Sequence, residues 1–367
     1  MTRILFVFGW LVVGGEETEL RHLARHLDPR RFRLEVVACQ RRPGMPELGE
    51  TQLENVGVAI DRTPYDLSFD DTVAHLALRF ADVDLVVACQ AVPDVVPALE
   101  LCRRPPPLIE HGGLVSDATA TPKHLTTRYV GVCRSIRDAA AAVMPGREHH
   151  AVEIPSMVDL GEFDTKARTR IRAELGLPDD SRLVGWVGRL DRKKRVEDVV
   201  EAAHLVLDKR PETRFVVVGG PDSFMPEYEA ELHALAASLG LGDRMIFLGD
   251  RSDVPSLLSA LDVFVWLSHA EGMPHVIAEA GAASLPVVAT KDNGSTQQLR
   301  DGVSGVHVPH RSPVAVAAAI ERLLDDEALR RRLGAALRRK VEREYSVEAV
   351  VPRWEALFDE VLLEAAA

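Results

Sequence analysis

The sequence predicts an α/β protein built from two doubly wound parallel sheets. Three observations carry that expectation. Short apolar, β-branched runs alternate with stretches whose apolar residues recur at helical spacing, the pattern of βαβ units. The runs end in Gly-containing loops, where ligands of such sheets bind. The chain has 367 residues, which favours two domains over one.

Taken in order, 4–8 reads as a buried strand followed by Gly9, Gly14 and Gly15, and a helix over 16–27 carries Leu20, Leu23 and Leu27 on one face. Strands follow at 34–39, 56–60, 85–89, 108–110 and 129–133, with helices near 72–80 and 95–102 and from Ser135 into Val143. The segment IPSMVDLGEF, 154–163, reads as the domain linker. A second series has strands at 183–187, 215–218, 245–248, 263–267, 287–289 and 306–308. Its helices fall at 196–207, 228–239 and 254–261 and after Pro274, then at 313–324, 327–344 and 347–363. Pro274 fits a first helical turn, where its missing N–H is no loss.

Composition narrows the function. Apolar residues make up 46% of the chain, enough for two cores, and the net charge of −12 argues against a nucleic-acid partner. Cys39, Cys89, Cys102 and Cys133 form no CxxC pair and suit a reducing compartment. The apolar run 4–13 is too short to span a bilayer and lacks a following small-residue cleavage site, so it reads as a first strand. These features point to a cytoplasmic protein.

The stretch EGMPHVIAEAGAASLPVVAT, 271–290, concentrates the chemistry. It places Glu271 in a loop after one strand and Glu279 inside the next helix. A helix N-terminus favours anions, so a carboxylate there is oddly placed unless it has hydroxyls to bind. The loop GRLDRKK, 188–194, follows the first strand of the second series, and Arg189 and Lys194 can converge on a diphosphate if it curls. A solvated basic turn is the competing reading of that loop.

The glutamate spacing in EGMPxxxxE, the GRLxxxK loop, the LPVVAT strand, the GGxE loop around Gly15 and the His-Gly pair at His111 together resemble retaining family 4 glycosyltransferases of GT-B fold, glycosyl transferases group 1. The resemblance runs through nearly the whole chain. It implies two Rossmann-like domains facing across a cleft: 1–158 on the acceptor side, 159–346 on the nucleotide-sugar donor side, and 347–367 as a helix packing back on the first domain. It implies transfer of a sugar from a nucleotide-sugar, UDP-sugar first and GDP-mannose second, to a hydroxyl of a sugar, lipid-linked or small-molecule acceptor, with retention. Catalytic positions carried over are His111, Arg189, Lys194 and Glu271. Donor and nucleotide positions are Gly15, Gly188, Arg189, Lys194, Arg251, Glu271, Gly272, Met273 and Glu279, with Glu279 on the ribose and Asp250 and Arg251 bordering the base. No metal and no cofactor is expected. The same-fold alternatives are a nucleotide-sugar epimerase or a phosphorylase, and the alternative of another class is a nucleotide-sugar-binding protein without catalysis.

The chain departs from the family pattern at Ser156-Met157 (usually Asn-Gly), Arg195 (usually Gly) and Gln297 (usually Glu). Three further signals read as misleading. Asp82 and Asp84 spell a DxD on the rim opposite the predicted site. The basic run 330–332 with 338–340 offers a face for anionic lipid at the inner membrane, but reads first as solvated. The two glutamates are too far apart along a continuous helix to form a glycosidase pair.

Overall fold

The computed structural model describes residues 1–164, 166–178 and 181–367, with Asn293 described in its backbone alone. The chain divides into two compact units, Met1–Met157 with Val347–Ala367, and Val158–Ser346.

The first unit holds a seven-stranded sheet: β1 (Thr2–Trp10), β2 (Phe32–Gln40), β3 (Ala59–Asp61), β4 (Leu85–Cys89), β5 (Leu108–Gly112), β6 (Thr126–Gly131) and β7 (Ala151–Glu153). Its order is β3-β2-β1-β4-β5-β6-β7, and every pairing is parallel. Strand β1 shows why residues 4–8 are all apolar. Ile4, Phe6 and Phe8 enter one core, and Leu5 and Val7 enter the core on the opposite face. Side chains alternate between faces, and a sheet covered on both sides needs hydrophobes at both parities.

The last helix, Val347–Ala366, completes the first of these cores with Val350, Trp354, Leu357, Phe358 and Val361. Trp354 and Phe358 are fully buried, and each such side chain contributes roughly 1.5–3 kcal/mol. Arg31 pairs with Glu355 and Asp359 at the edge of this contact.

The second unit has six strands: β8 (Leu183–Val187), β9 (Arg214–Val218), β10 (Met245–Phe247), β11 (Val263–Trp266), β12 (Val287–Thr290) and β13 (Val306–Val308). Their order is β10-β9-β8-β11-β12-β13, again all parallel. In both sheets the order reverses beside the first strand, the switch point at which open α/β sheets bind ligands.

Several elements differ from the sequence expectation. The strand expected at 56–60 begins only at Ala59, because Gly57 turns with φ +83°. The strand expected at 129–133 spans Thr126–Gly131 and includes polar Arg128, which is 3% exposed and paired with Glu360 and Glu364 of the last helix. The helix Ala167–Glu174 has too polar a sequence to signal burial. It is held by Arg168, which donates to the Ala260 and Leu261 carbonyls and pairs with Asp262. Pro274 lies just before its helix rather than in the first turn: its backbone is extended, and the helix spans His275–Ala282.

Candidate active site

The loop after β8 is laced to the loop after β9. The Gly188 N–H donates to the Val218 carbonyl and the Leu190 N–H to the Gly220 carbonyl, each at 2.9 Å. Gly219 makes this possible: at φ +129°, a Cβ there would stand 1.8 Å from the Gly188 carbonyl oxygen. Asp191 caps the turn Arg192–Lys194 by accepting from the Lys193 N–H at 2.9 Å. Arg195 then enters the left-handed region at φ 55°, where glycine carries no Cβ penalty, which gives a physical reason for the glycine usual at this position. Its side chain is held by Asp198 at 3.0 and 2.6 Å.

That curl brings Lys194 to Glu271. The Lys194 Nζ donates to Glu271 Oε1 at 2.5 Å and sits 4.9 Å from the centre of the Trp266 ring. Ser268 Oγ donates to the same carboxylate oxygen at 2.8 Å, and the Glu271 N–H donates to Asp292 Oδ2 at 2.8 Å. Burial would raise the Glu271 carboxyl, but the Lys194 ammonium and the Lys194 and Ser268 hydrogen bonds outweigh it and leave the carboxyl below its ordinary value. Burial also draws Lys194 below the ordinary lysine value, against the pull of Glu271.

Gly272 and Met273 are buried, and the following loop packs hard on them: a Cβ on Gly294 would lie 1.9 Å from the Gly272 carbonyl oxygen. Glu279, half-buried, lies in the helix His275–Ala282. The expected Gln297 site falls in the helix Asn293–Gln298, and the Asn293 side chain lies outside the described residues. Its neighbour Gln298 is fully buried and donates to the Pro274 carbonyl at 3.0 Å, a contact no sequence signal announced.

Arg189 donates from Nη1 to Asp222 Oδ2 at 2.9 Å. Asp222 had no motif to mark it. Arg251, expected to border the base, is held by carboxylates. All three of its nitrogens donate to carboxylates, Nε and Nη2 to Asp253 and Nη1 to Glu174, so it braces the helix Ala167–Glu174. Asp250 accepts from the Gly220 N–H at 2.7 Å and supports the loop after β9.

In the first unit, His111 ends β5, is 5% exposed, and packs edge-on against Trp354 with ring centres 5.4 Å apart. Its Nε2 has no hydrogen-bond partner among the described residues, and burial lowers its pKa to about 4. The ring is therefore neutral near pH 7. Glu110 beside it is committed to Lys123 and Thr126 in a buried network and is not an available base. Gly15 opens the helix Gly15–His26, whose first turn carries Glu16 and Glu17. Burial and the charge of Glu17 hold Glu16 well above the usual carboxylate range.

The DxD lies on the far side of this sheet: Asp84 precedes β4 and accepts from the Arg3 N–H at 2.7 Å, next to the start of β1. The basic run is largely engaged within the second unit. Arg330 donates to the Leu323 and Leu324 carbonyls, Arg331 pairs with Glu327, Arg338 with Glu342, and Lys340 donates to the Gln297 carbonyl. The four cysteines are free thiols. Among the described residues no helix is long and apolar enough to cross a membrane.

Two Rossmann-like sheets, with basic side chains and a glutamate gathered at the strand C-termini of the second, define the GT-B architecture. The family model for glycosyl transferases group 1 matches residues 167–340, most of the second unit. A D-inositol 3-phosphate glycosyltransferase of Salinispora arenicola is 36% identical over 194 residues, covering 50% of this chain and 43% of the relative. The chain thus spans less than half the length of that relative. N-acetyl-alpha-D-glucosaminyl L-malate synthase of Bacillus anthracis is 24% identical over 314 residues, 82% of this chain and 80% of the relative. Among solved structures, Anabaena HepE in complex with UDP-glucose superposes with a TM-score of 0.86 at 22% identity, covering 98% of this chain and 100% of that one. At that identity the likeness supports the fold alone.

Proposed function

We propose that this protein is a retaining glycosyltransferase that moves a sugar from a UDP-sugar to an acceptor hydroxyl without a metal ion. The observation that carries this reading is the pairing of Lys194 with Glu271 at the C-terminal rim of β8 and β11, with Lys194 in the same curled loop that carries Arg189. Two cations within one curled loop suit a diphosphate, and the adjacent carboxylate suits sugar hydroxyls. The names of the relatives, a glycosyltransferase and an N-acetyl-glucosaminyl malate synthase, support the reaction class, and the donor class is taken by analogy with HepE, a protein of this fold in complex with UDP-glucose.

The mechanism follows from charge. As the bond from the sugar to the diphosphate breaks, negative charge grows on the leaving oxygen. Arg189 and Lys194 stabilise it from fixed positions, which is electrostatic preorganisation. The departing phosphate takes the acceptor proton on the same face of the sugar. Glu110 is ion-paired and His111 is neutral with an open Nε2, so His111 suits a sugar hydroxyl better than the role of a strong base. Glu279 accepts from the ribose hydroxyls.

Two measurements test this. UDP raises the melting temperature in the presence of chelator, because a ligand selective for the folded state stabilises it; stabilisation only with a divalent ion would remove the metal-free reading. Proton NMR of the first-formed product from a UDP-α-sugar shows an α-linkage, and a β-linked product would overturn retention.

A further inference from the structure

Resting on that reading of Arg189, we propose that Asp222 is a positioning residue that aims Arg189 at the donor diphosphate. Asp222 is only 5% exposed, and its carboxylate is fixed at both oxygens. Oδ2 accepts from Arg189 Nη1 at 2.9 Å, and Oδ1 accepts from the Phe224 N–H at 2.8 Å. Its backbone is fixed as well. The Asp222 carbonyl accepts from the Met225 N–H at 2.9 Å, and the preceding residue, Pro221, bridges to Leu190. The carboxylate therefore sits on a braced loop, at a set place relative to the loop that carries Arg189.

The effect on Arg189 is directional. A guanidinium presents a planar fork, and holding Nη1 fixes the plane and the rotation of the whole group. Nε and Nη2 have no partner among the described residues, and the side chain is 30% exposed. Asp222 thus occupies one corner and leaves the Nε–Nη2 edge open, the pair of parallel donors that binds a phosphate oxygen pair. An untethered arginine would have to be ordered on binding, at a cost in side-chain entropy. Asp222 meets that cost during folding.

A plain bracing role for the Asp222–Arg189 pair is the competing account, and a double-mutant cycle separates the two. UDP affinity is measured by calorimetry for the full chain, for Asp222→Ala, Asp222→Asn and Arg189→Ala, and for Asp222→Ala combined with Arg189→Ala. Asp222→Ala should bind UDP about tenfold more weakly, a fold-change typical of losing support for one charged contact. Asp222→Asn keeps an acceptor oxygen and should recover most of that loss. In the Arg189→Ala background, Asp222→Ala should change nothing further, because its effect passes through that side chain. Phosphorus NMR of bound UDP should shift in Asp222→Ala and return in Asp222→Asn.

An equal loss of affinity on removing Asp222 with and without Arg189 would overturn the proposal, as would unchanged UDP binding in a folded Asp222→Ala protein. If Asp222→Ala does not fold, Asp222→Ser, which can still accept from the Phe224 N–H but is too short to hold Arg189, gives the same cycle in both backgrounds. Failure of the underlying reading has a different signature: Arg189→Ala would leave UDP binding unchanged.

Discussion

At the residue scale, the ion pair between Lys194 and Glu271 has consequences for ligand binding. The Lys194 ammonium is satisfied by Glu271 at 2.5 Å, with both side chains largely buried. A diphosphate that takes Lys194 must compete with this carboxylate, and the released Glu271 becomes available to sugar hydroxyls. Glu271→Gln should therefore bind UDP several-fold more tightly, while the extra affinity of UDP-sugar over UDP shrinks. Lys194→Ala should weaken UDP by roughly 1.5–3 kcal/mol, the range for a charge-assisted hydrogen bond. Calorimetry with UDP and UDP-glucose reads both. Weaker UDP binding by Glu271→Gln would mean that the carboxylate supports the diphosphate site instead of competing for its lysine. Glu279→Ala should weaken UDP and UDP-sugar equally, since the ribose is common to both; a loss confined to the sugar nucleotide would move Glu279 away from the ribose.

At the scale of elements, the site depends on two loops held at backbone contact. Gly188 and Gly219 approach so closely that a methyl group on Gly219 would meet a carbonyl oxygen at 1.8 Å, in a backbone conformation that side chains rarely adopt. Gly219→Ala should lower the melting temperature by several degrees and abolish measurable UDP binding, because the loop carrying Arg189 must move. Thermal denaturation and calorimetry check this, and a variant that melts and binds like the parent would show that the two loops are not coupled. These elements were unequally legible in the sequence. The strand and loop 183–195 announced themselves through an apolar run and a basic turn. The helix Ala167–Glu174 did not, because arginines on carbonyls and ion pairs, rather than an apolar stripe, hold much of it in place. Asp222 was equally silent, since a single aspartate after a glycine pair is an ordinary turn residue until its partner is seen.

At the scale of the molecule, the first unit is made from distant parts of the chain, and Glu19 marks where they join. This residue is 3% exposed and accepts from Trp354 Nε1 at 3.0 Å and from the Met157 N–H at 3.2 Å. It thereby ties the first helix to the last helix and to the final residue before the second unit. Burial raises its pKa to about 8, against the lowering effect of these two hydrogen bonds. The folded state then holds a proton that the unfolded state has lost above its ordinary carboxylate value. Stability consequently falls as pH rises from about 4.5 toward about 8 through this group. Glu19→Gln keeps an acceptor for Trp354 and removes the titration. It should raise the melting temperature at pH 8 and change it little at pH 4.5. Denaturation across that range decides it, and an unchanged pH profile would show that Glu19 titrates normally in the folded state.

The sequence by itself determined the class of fold and the neighbourhood of the site. Alternating periods specify parallel α/β units, because a helix and a strand bury their faces at different spacings. The Gly-containing loops that follow 183–187 and 263–267 point to a rim, because ligands of open parallel sheets bind beyond the strand C-termini. Tertiary structure decided which charges meet. It gave Arg189 to Asp222, Lys194 to Glu271, Glu110 to Lys123 and Arg251 to Glu174. It also placed the last helix on the first sheet through Trp354 and Phe358. The reason is range. Periodicity is set by backbone geometry within a few residues, whereas an ion pair or a buried tryptophan depends on groups tens to hundreds of positions apart, whose meeting is fixed only once both cores have closed.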